Sequence, residues 1–225
     1  MDMLILMGNY TEFARSVERL RDEGENTEFN GDTGLFAVDH NVSVFETSIR
    51  SLGGLLSSHL LCEKFLPPNT IPVEHVNLPG GGGVRGDWDL KLNSTSPREY
   101  WSYDGSLLEL ASDLADRLLP AFETSTGVPY GTVNLVKGVP KGETTIASLA
   151  GGGSMSLEFE VLSRLTGNPT YGHVARRAVK ALWRKRSDSG LLGKHIDVVS
   201  GRWVESVSGI GSNSDSFYEV GQSDG

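Results

Sequence analysis

The segment from residue 44 to residue 66 constrains the fold most, because it is rich in leucine and almost without charge. After Arg50 no charged side chain occurs until the last few residues of the segment. Ser43 stands before it and Glu46 follows three residues later, which is the spacing of a helix-capping box. Such an apolar helix must be covered on most sides by other elements. The chain is therefore expected to pack further helices around this one.

Hydrophobic residues recur three and four positions apart in several other stretches, which is the pattern of amphipathic helices. The spacing predicts helices over residues 3–23, 105–119, about 153–165 and about 170–185, and one that begins near residue 214. Gly167 and Pro169 supply the signals that end one helix and start the next. Helices in series joined by long loops favour an all-α architecture such as an α/α toroid, although other helical arrays share this pattern.

Two stretches break the helical pattern. Residues 190–207 alternate between apolar and polar around the turn Ser200-Gly201, which predicts a short β-hairpin. Residues 67–104 contain two prolines, the run from Gly80 to Gly83 and little periodicity, which is typical of an irregular surface insertion. We therefore expect a helical domain that carries one insertion and one hairpin.

Composition and charge exclude several classes of function. The net charge is −9 and no stripe of lysine and arginine is apparent, so nucleic acid is not expected as a partner. No stretch approaches the roughly 18 apolar residues of a membrane span. Cys62 is the single cysteine and cannot form an internal disulfide. It lies on the apolar side of a predicted helix, where a thiol acts as a small hydrophobe.

Three glycosylation sequons begin at Asn9, Asn41 and Asn93, and their use requires a secretory context. The apolar N-terminus is short and has no basic residues before it, so it does not resemble a signal peptide. Sequons without a signal peptide suggest that the chain starts inside a longer protein.

Four segments, in this order and with similar spacing, resemble glycoside hydrolase family 47. They are VFETSIR with GGLLSSHLL (residues 44–61), LLPAF with GVPYGTVNL (118–135), LEF with LSRLTG (157–167), and SGIG with DSFYE (208–219). Two further stretches, VARRAVKALW at 174–183 and GLLG at 190–193, are similar to the branch of ER degradation-enhancing α-mannosidase-like proteins.

The resemblance implies an (α/α)7 barrel, of which residues 1–225 would form an incomplete N-terminal part of the catalytic domain with the insertion at about 67–104. It implies removal of terminal α-1,2-linked mannose with inversion, and Ca2+ as cofactor. The implied substrates are high-mannose N-glycans on misfolded client glycoproteins in the lumen of the endoplasmic reticulum. The family's general base and its Ca2+-binding threonine lie beyond the matched segments, so we expect no metal ligand here and little activity from this chain alone.

The resemblance also assigns site residues. Inverting hydrolysis needs carboxyl groups on both sides of the bond. By the resemblance, Glu46 matches the general acid and Asp215 a second acidic residue of the catalytic site. Arg50, Glu158 and Glu219 match substrate-binding positions. The residues alone leave other interpretations open: Glu46 caps its helix and pairs with Arg50, Asp215 caps another helix, and Glu158 lies at a solvated edge.

Two other functions stay open beside the enzyme: a glycan-binding module without catalysis, and a helical scaffold without a glycan site. His195 has no second metal ligand at suitable spacing and is interpreted as a hairpin residue. Trp88, Trp101 and Trp203 either stack on sugar rings or pack within the fold, and packing is the commoner use.

Overall fold

The computed structural model describes residues 1–76 and 99–220, and helices dominate it. The α-helices are α1 (Asp2–Leu6), α2 (Tyr10–Asn26), α3 (Val44–Glu46), α4 (Gly53–Phe65), α5 (Ser106–Leu118), α6 (Leu149–Gly153), α7 (Ser156–Thr166), α8 (Pro169–Trp183) and α9 (Asp215–Val220). The short strands are β1 (Glu28–Phe29), β2 (Asp32–Thr33), β3 (Asn41–Ser43), β4 (Thr132–Asn134), β5 (Ile146–Ser148), β6 (His195–Asp197) and β7 (Trp203–Glu205). Single 3-10 turns cover Val73–His75 and Leu119–Phe122.

The predicted leucine-rich helix forms, and it contains a feature that the periodicity did not indicate. The hydroxyl of Ser43 accepts a hydrogen bond from the Glu46 amide at 3.3 Å, so the predicted cap is confirmed. Between α3 and α4 the helix is π-helical over Thr47–Leu52. The Ser48 hydroxyl donates back to the Val44 carbonyl, and two glycines follow the segment, so the ordinary helical turn is weak here. Short π-helical insertions of this kind occur frequently at functional sites.

The single helix predicted over residues 3–23 is wrong, because two helices occupy this region. Gly8 has a φ of +73°, a left-handed conformation that ends α1. The Asn9 side chain then accepts a hydrogen bond from the Glu12 amide at 3.3 Å and caps α2. The helix predicted over about 153–165 is confirmed as α7, which begins three residues later, while the short helix α6 before it was not predicted.

The other predicted helices are confirmed with small shifts at their ends. Helix α5 covers the predicted stretch, and α7 ends at Gly167, which has a φ of +71°. Asn168 caps α8 by accepting a hydrogen bond from the Thr170 amide, and Pro169 is the first helical residue. These boundaries are local signals, which is why the sequence alone indicates them.

The predicted β-hairpin is present as β6 and β7, but it belongs to a three-stranded antiparallel sheet. Strand β5 pairs with β6, with Ser148 opposite His195. A second antiparallel pair joins β3 to β4, with Asn41 opposite Asn134, and β1 pairs with β2. The sequence analysis missed these strands because they are two or three residues long and most of their partners lie far away along the chain.

Two clusters of buried side chains form the core. The larger cluster gathers side chains of α1, α2, α4, α5, α7 and α8, among them Phe13, Leu52, Leu114, Phe159 and Leu162. The smaller one lies between the three-stranded sheet, α8 and α9 and contains Val128, Leu149, Leu182, Ile196 and Phe217. Cys62 is buried in the larger cluster, and burial raises the pKa of its thiol to about 12, which confirms the interpretation of an inert core residue.

The two ends of the predicted insertion pack on the domain. Ile71 and Val76 are buried against Ala14 of α2, and the Trp101 amide donates to the Ile71 carbonyl at 2.8 Å. The middle of the insertion, with Gly80–Gly83, Trp88 and the sequon at Asn93, lies outside the described residues. Among the helices that are described, none combines the length and the apolar character that crossing a membrane requires.

Candidate active site

Glu46 and Arg50 form an ion pair at the start of the long central helix. The Arg50 Nε donates to Glu46 Oε2 one helical turn away. Both side chains are open to solvent, with 48% of Glu46 and 74% of Arg50 exposed. An exposed pair contributes little to stability, but it orients the Glu46 carboxylate. The positive end of the helix dipole also favours a carboxylate at this position.

A short ladder fixes the chain where it enters α3. Strand β3 runs directly into the helix and pairs with β4, and the Val44 amide donates to the Gly131 carbonyl at 3.0 Å. The centre of this ladder is the buried side chain of Asn134. Its side-chain NH2 group donates to Asp39 and Asn41, and its side-chain oxygen accepts from the backbone amides of Val136 and Lys137. These four hydrogen bonds are 2.8–3.0 Å long. All four hydrogen-bonding positions of Asn134 are therefore used to hold the approach to Glu46.

Glu158 on α7 is the most unusual carboxyl group in the described structure. Its Oε2 has almost no contact with solvent and no hydrogen-bond partner among the described groups. Burial raises the pKa of this carboxyl above its ordinary value. A methyl group added at Gly53 would lie 3.5 Å from Glu158 Oε1, so the side chain lies against the helix that carries Glu46. The interpretation of Glu158 as a solvated edge residue is therefore wrong for Oε2.

Asp215 and Glu219 occupy one exposed face of α9. They are four residues apart, so their side chains lie on the same side of the helix. The Asp215 amide donates to the Gly211 carbonyl at 3.0 Å, which ties the start of α9 to the preceding turn. Phe217 between them is buried and anchors the helix to the smaller core cluster.

Helix α6 connects the two acidic regions, and the sequence analysis missed it. A Cβ at Gly153 would lie only 2.5 Å from the Phe217 ring, and one at Gly151 would lie 4.0 Å from the Cβ of Phe45. Phe45 precedes Glu46, and Phe217 follows Asp215 by two residues. The Ala150 amide also donates to the Asn213 carbonyl at 2.8 Å. The glycine run of α6 thus lets both α3 and α9 approach one short helix closely. The repeated glycines were the signal in the sequence that could have indicated it.

The predicted site residues therefore lie in one region of the structure. Apart from Glu46 and Arg50, they are connected by contacts between neighbouring residues and not by contacts with one another. Arg50 contacts Glu46 directly, and Glu158 packs beside the same helix. Asp215 and Glu219 are linked to that helix through α6. Within residues 1–76 and 99–220, no hydrogen bond joins Glu46, Glu158 and Asp215 to one another. The arrangement places several carboxyl groups in one region, and the carboxyl group of Glu158 is the buried one among them.

The other candidate residues have structural roles. His195 Nδ1 contacts Glu205 at 2.6 Å across the hairpin, as its interpretation as a hairpin residue implies. The Trp101 indole donates to Glu18 and packs on Phe13, while the Trp203 indole donates to the Lys185 carbonyl. Trp88 lies outside the described residues. In the described part of the chain no three His, Cys, Asp or Glu side chains gather as a metal site would require, so these residues do not fit Ca2+.

Comparison with known proteins gives consistent matches. Residues 1–221 match the profile of glycosyl hydrolase family 47. The chain is 43% identical over 219 residues to alpha-mannosidase I MNS4 of Arabidopsis thaliana and to ER degradation-enhancing alpha-mannosidase-like protein 2 of Homo sapiens. These alignments cover 97% of this chain but only 29% and 31% of the two relatives. The chain thus spans less than a third of their length.

A solved structure gives the same relationship. The alpha-1,2-mannosidase from Trichoderma reesei superposes with a TM-score of 0.67 and 31% sequence identity. The superposition covers 97% of this chain and 39% of that enzyme. The likeness confirms the predicted α/α-barrel fold class, of which the chain spans a part.

Proposed function

The chain belongs to glycosyl hydrolase family 47, a family of glycosidases, and we propose that it forms part of a site that releases terminal α-1,2-linked mannose from high-mannose N-glycans. Relatives named as alpha-mannosidases and as ER degradation-enhancing proteins support this substrate class. By the same argument the protein acts in the endoplasmic reticulum, on N-glycans of misfolded glycoproteins.

The observation that carries the proposal is the Oε2 atom of Glu158. Burying a carboxyl oxygen without a hydrogen-bond partner costs free energy, and packing within the fold does not offset this cost. A sugar hydroxyl that donates a hydrogen bond to this oxygen would satisfy it. Because the environment raises the pKa of Glu158, the group is also able to hold a proton and donate to a sugar oxygen.

In the proposed reaction Glu46 is the general acid that protonates the leaving oxygen. Arg50 orients the ionised Glu46 carboxylate through their ion pair, and Glu46 takes up a proton from solvent before it acts as the acid. Asp215 is the second acidic group of the site, and Glu219 contacts substrate from the same face of α9. Inverting hydrolysis requires about 6.5–9.5 Å between acid and base so that a water molecule fits between them. We assign no general base among the residues of this chain.

Calcium enters the proposal from the family relationship alone. Since the described residues do not assemble a metal site, no step is assigned to Ca2+. The test of function therefore includes assays with added calcium and with a chelator, and the role assigned to Glu46 does not depend on which of the two supports activity.

Mannose release and glycan binding test the proposal together. We expect the chain to bind a high-mannose N-glycan. In a version extended to the full length of the family's catalytic domain, mannose release should fall about 10²–10⁴-fold in Glu46→Gln, because general acid catalysis is lost. Glu158→Gln should weaken binding. Glu25→Gln, an exposed carboxylate on α2, is the matched control.

Two results would redirect the proposal. Glycan binding that is lost in Glu158→Gln, without mannose release from a folded version extended to the full length of the family's catalytic domain, would favour the alternative of a non-catalytic glycan-binding module. Glycan binding that is unchanged in both Glu46→Gln and Glu158→Gln would favour a helical scaffold without a glycan site, and the proposal would be wrong.

A further inference from the structure

The solvent-facing side of α8 is strongly basic, although the chain as a whole is acidic. Six lysines and arginines lie between residues 176 and 186, and no aspartate or glutamate occurs between Glu160 and Asp188. Exposed cationic side chains recur at helical spacing along this face. We call the following set, whose last three members lie directly after the end of the helix, the basic face of α8: Arg176, Arg177, Lys180, Arg184, Lys185 and Arg186. The sequence-based interpretation that the chain has no stripe of lysine and arginine is therefore wrong for this helix.

Contacts within the chain use only part of this charge. Arg176 forms an ion pair with Glu160 of α7. Arg177 lies over Gly127 and donates to the Thr124 carbonyl at 3.2 Å. Elsewhere on the basic face, no acidic side chain of the described residues lies within ion-pair distance. Since an acidic chain has many carboxylates to place nearby, the absence of acidic neighbours over this face leaves a concentrated positive field.

An exposed tryptophan, the last residue of α8, lies within the basic face. Half of Trp183 is exposed, and the Arg186 guanidinium lies 4.8 Å above its ring. The stacked pair is therefore held in place before any partner arrives. Tryptophan and arginine are the residues that contribute most often to the energetic centres of protein interfaces. Helix α8 therefore combines a charged stripe with an aromatic anchor.

We propose that the basic face of α8 binds a short acidic segment of a partner protein. The inference is independent of the carboxylate site, because none of its residues belongs to that site. An extended acidic peptide of about four residues matches the roughly 12 Å of helical rise from Arg176 to Arg184. Its carboxylates would pair with Lys180, Arg184 and Lys185 while its side chains pack on Trp183.

Other anionic partners fit this face less well. A membrane-bound amphipathic helix inserts its apolar side, but the apolar side of α8 is buried in the core through Ala175, Ala178 and Leu182. A long nucleic acid would extend past the helix onto the rest of a chain whose net charge is −9, where it would be repelled. A short acidic segment meets only the cationic stripe.

Binding of a labelled oligo-glutamate peptide of about eight residues tests the proposal. We expect measurable affinity at about 0.05 M salt that weakens strongly by about 0.5 M, because the pairs are exposed. The double substitution Lys180→Glu with Arg184→Glu should weaken binding by about tenfold or more. The double control Arg19→Glu with Lys141→Glu gives the same net charge at exposed positions elsewhere and should leave affinity within about twofold.

A milder pair, Lys180→Gln with Arg184→Gln, keeps the test valid if charge reversal disturbs folding, and circular dichroism verifies the helix content of each variant. The proposal is wrong if the α8 variants bind the peptide as tightly as the Arg19 and Lys141 control. It is also wrong if anionic phospholipid vesicles or single-stranded DNA bind more tightly than the peptide with the same dependence on α8, since another class of partner would then fit the face better.

Discussion

At the scale of single residues, Glu158 joins sequence, packing and function most directly. The family resemblance assigns it a role at the sugar site, while its place among apolar residues of α7 does not distinguish burial from a solvated edge. The structure gives the physical distinction, because the Oε2 atom is buried without a hydrogen-bond partner. Such an arrangement destabilises the free protein slightly and leaves hydrogen-bonding capacity for a ligand.

Replacing Glu158 by glutamine should separate stability from function. Burial raises the folded-state pKa above the ordinary value of 4.5, so the folded protein holds this proton more tightly than the unfolded chain. The stability contributed by the protonated group is present at low pH and is lost as the pH rises from 4.5 through the folded-state pKa. Glu158→Gln removes this loss, and we expect the variant to be more stable by about 1 kcal/mol near pH 7.

Thermal melts across the pH range check this expectation. The difference in Tm between Glu158→Gln and the wild-type chain should grow from acid toward neutral pH and reach about 2–4 °C. Glu25→Gln should show no such trend, since that side chain is exposed in both states. A constant or negative difference across the pH range would contradict the assignment of an unpartnered buried carboxyl. If the stabilised variant also loses glycan binding, the destabilising carboxyl group of Glu158 serves to bind the glycan.

At the scale of elements, helix α6 decides how the candidate site is assembled. Its sequence, LAGGG, has poor helix propensity, and the analysis of periodicity placed the helix start at Gly153. Ser148 caps it by accepting a hydrogen bond from the Gly151 amide at 2.9 Å. The helix exists because the absence of side chains lets α8 and α9 pack closely on it. Tertiary packing thus overrides the local preference, which a single sequence does not show.

Gly153→Ala should therefore destabilise the protein and disturb the site. The added methyl group would lie 2.5 Å from the Phe217 ring, which leaves no space without moving α9. We expect a loss of about 1–3 kcal/mol in the free energy of unfolding, from overpacking. Because α9 carries Asp215, glycan affinity should fall as well. Chemical denaturation and glycan binding measure the two effects.

Gly54→Ala on α4 is the matched control, since nothing lies within 4 Å of the added methyl group. This substitution should raise the free energy of unfolding by about 0.5–1 kcal/mol, as alanine is the better helix former. If both variants shift stability in the same direction and by the same amount, the proposed close approach of α6 and α9 is contradicted.

At the scale of the whole molecule, the sequence indicates the helices and the resemblance indicates how they are arranged. Leucine spacing predicts α5, and the cap residues around Gly167 mark the boundary between α7 and α8, because these features depend on nearby residues. The pairing of β3 with β4 is long-range, and the side chain of Asn134 that stabilises it gives no periodic signal. Glu158 likewise packs against Gly53 from another helix, where an added methyl group would lie 3.5 Å from Oε1. Contacts distant in sequence account for most of what the pattern misses.

The surface of α1 predicts how the whole molecule behaves in solution. Met3, Leu6 and Met7 stand on one side of this short helix, and between 58% and 76% of each side chain is exposed. Their spacing of three and four residues makes the apolar surface continuous. Continuous exposed apolar surface promotes association, whereas isolated apolar side chains are ordinary on protein surfaces. We therefore expect concentration-dependent self-association through α1.

Leu6→Lys with Met7→Lys should reduce that association without harming the fold. Both positions lie at the C-terminal end of α1, where a positive charge interacts favourably with the helix dipole. Removing two large apolar side chains from a contact should weaken self-association by about tenfold or more, as measured by sedimentation velocity over a range of concentrations. Ile210→Lys is the comparison, because this side chain is 83% exposed but lies in a loop away from α1. Equal effects of the α1 pair and of Ile210→Lys would mean that added positive charge, and not the apolar face of α1, governs association.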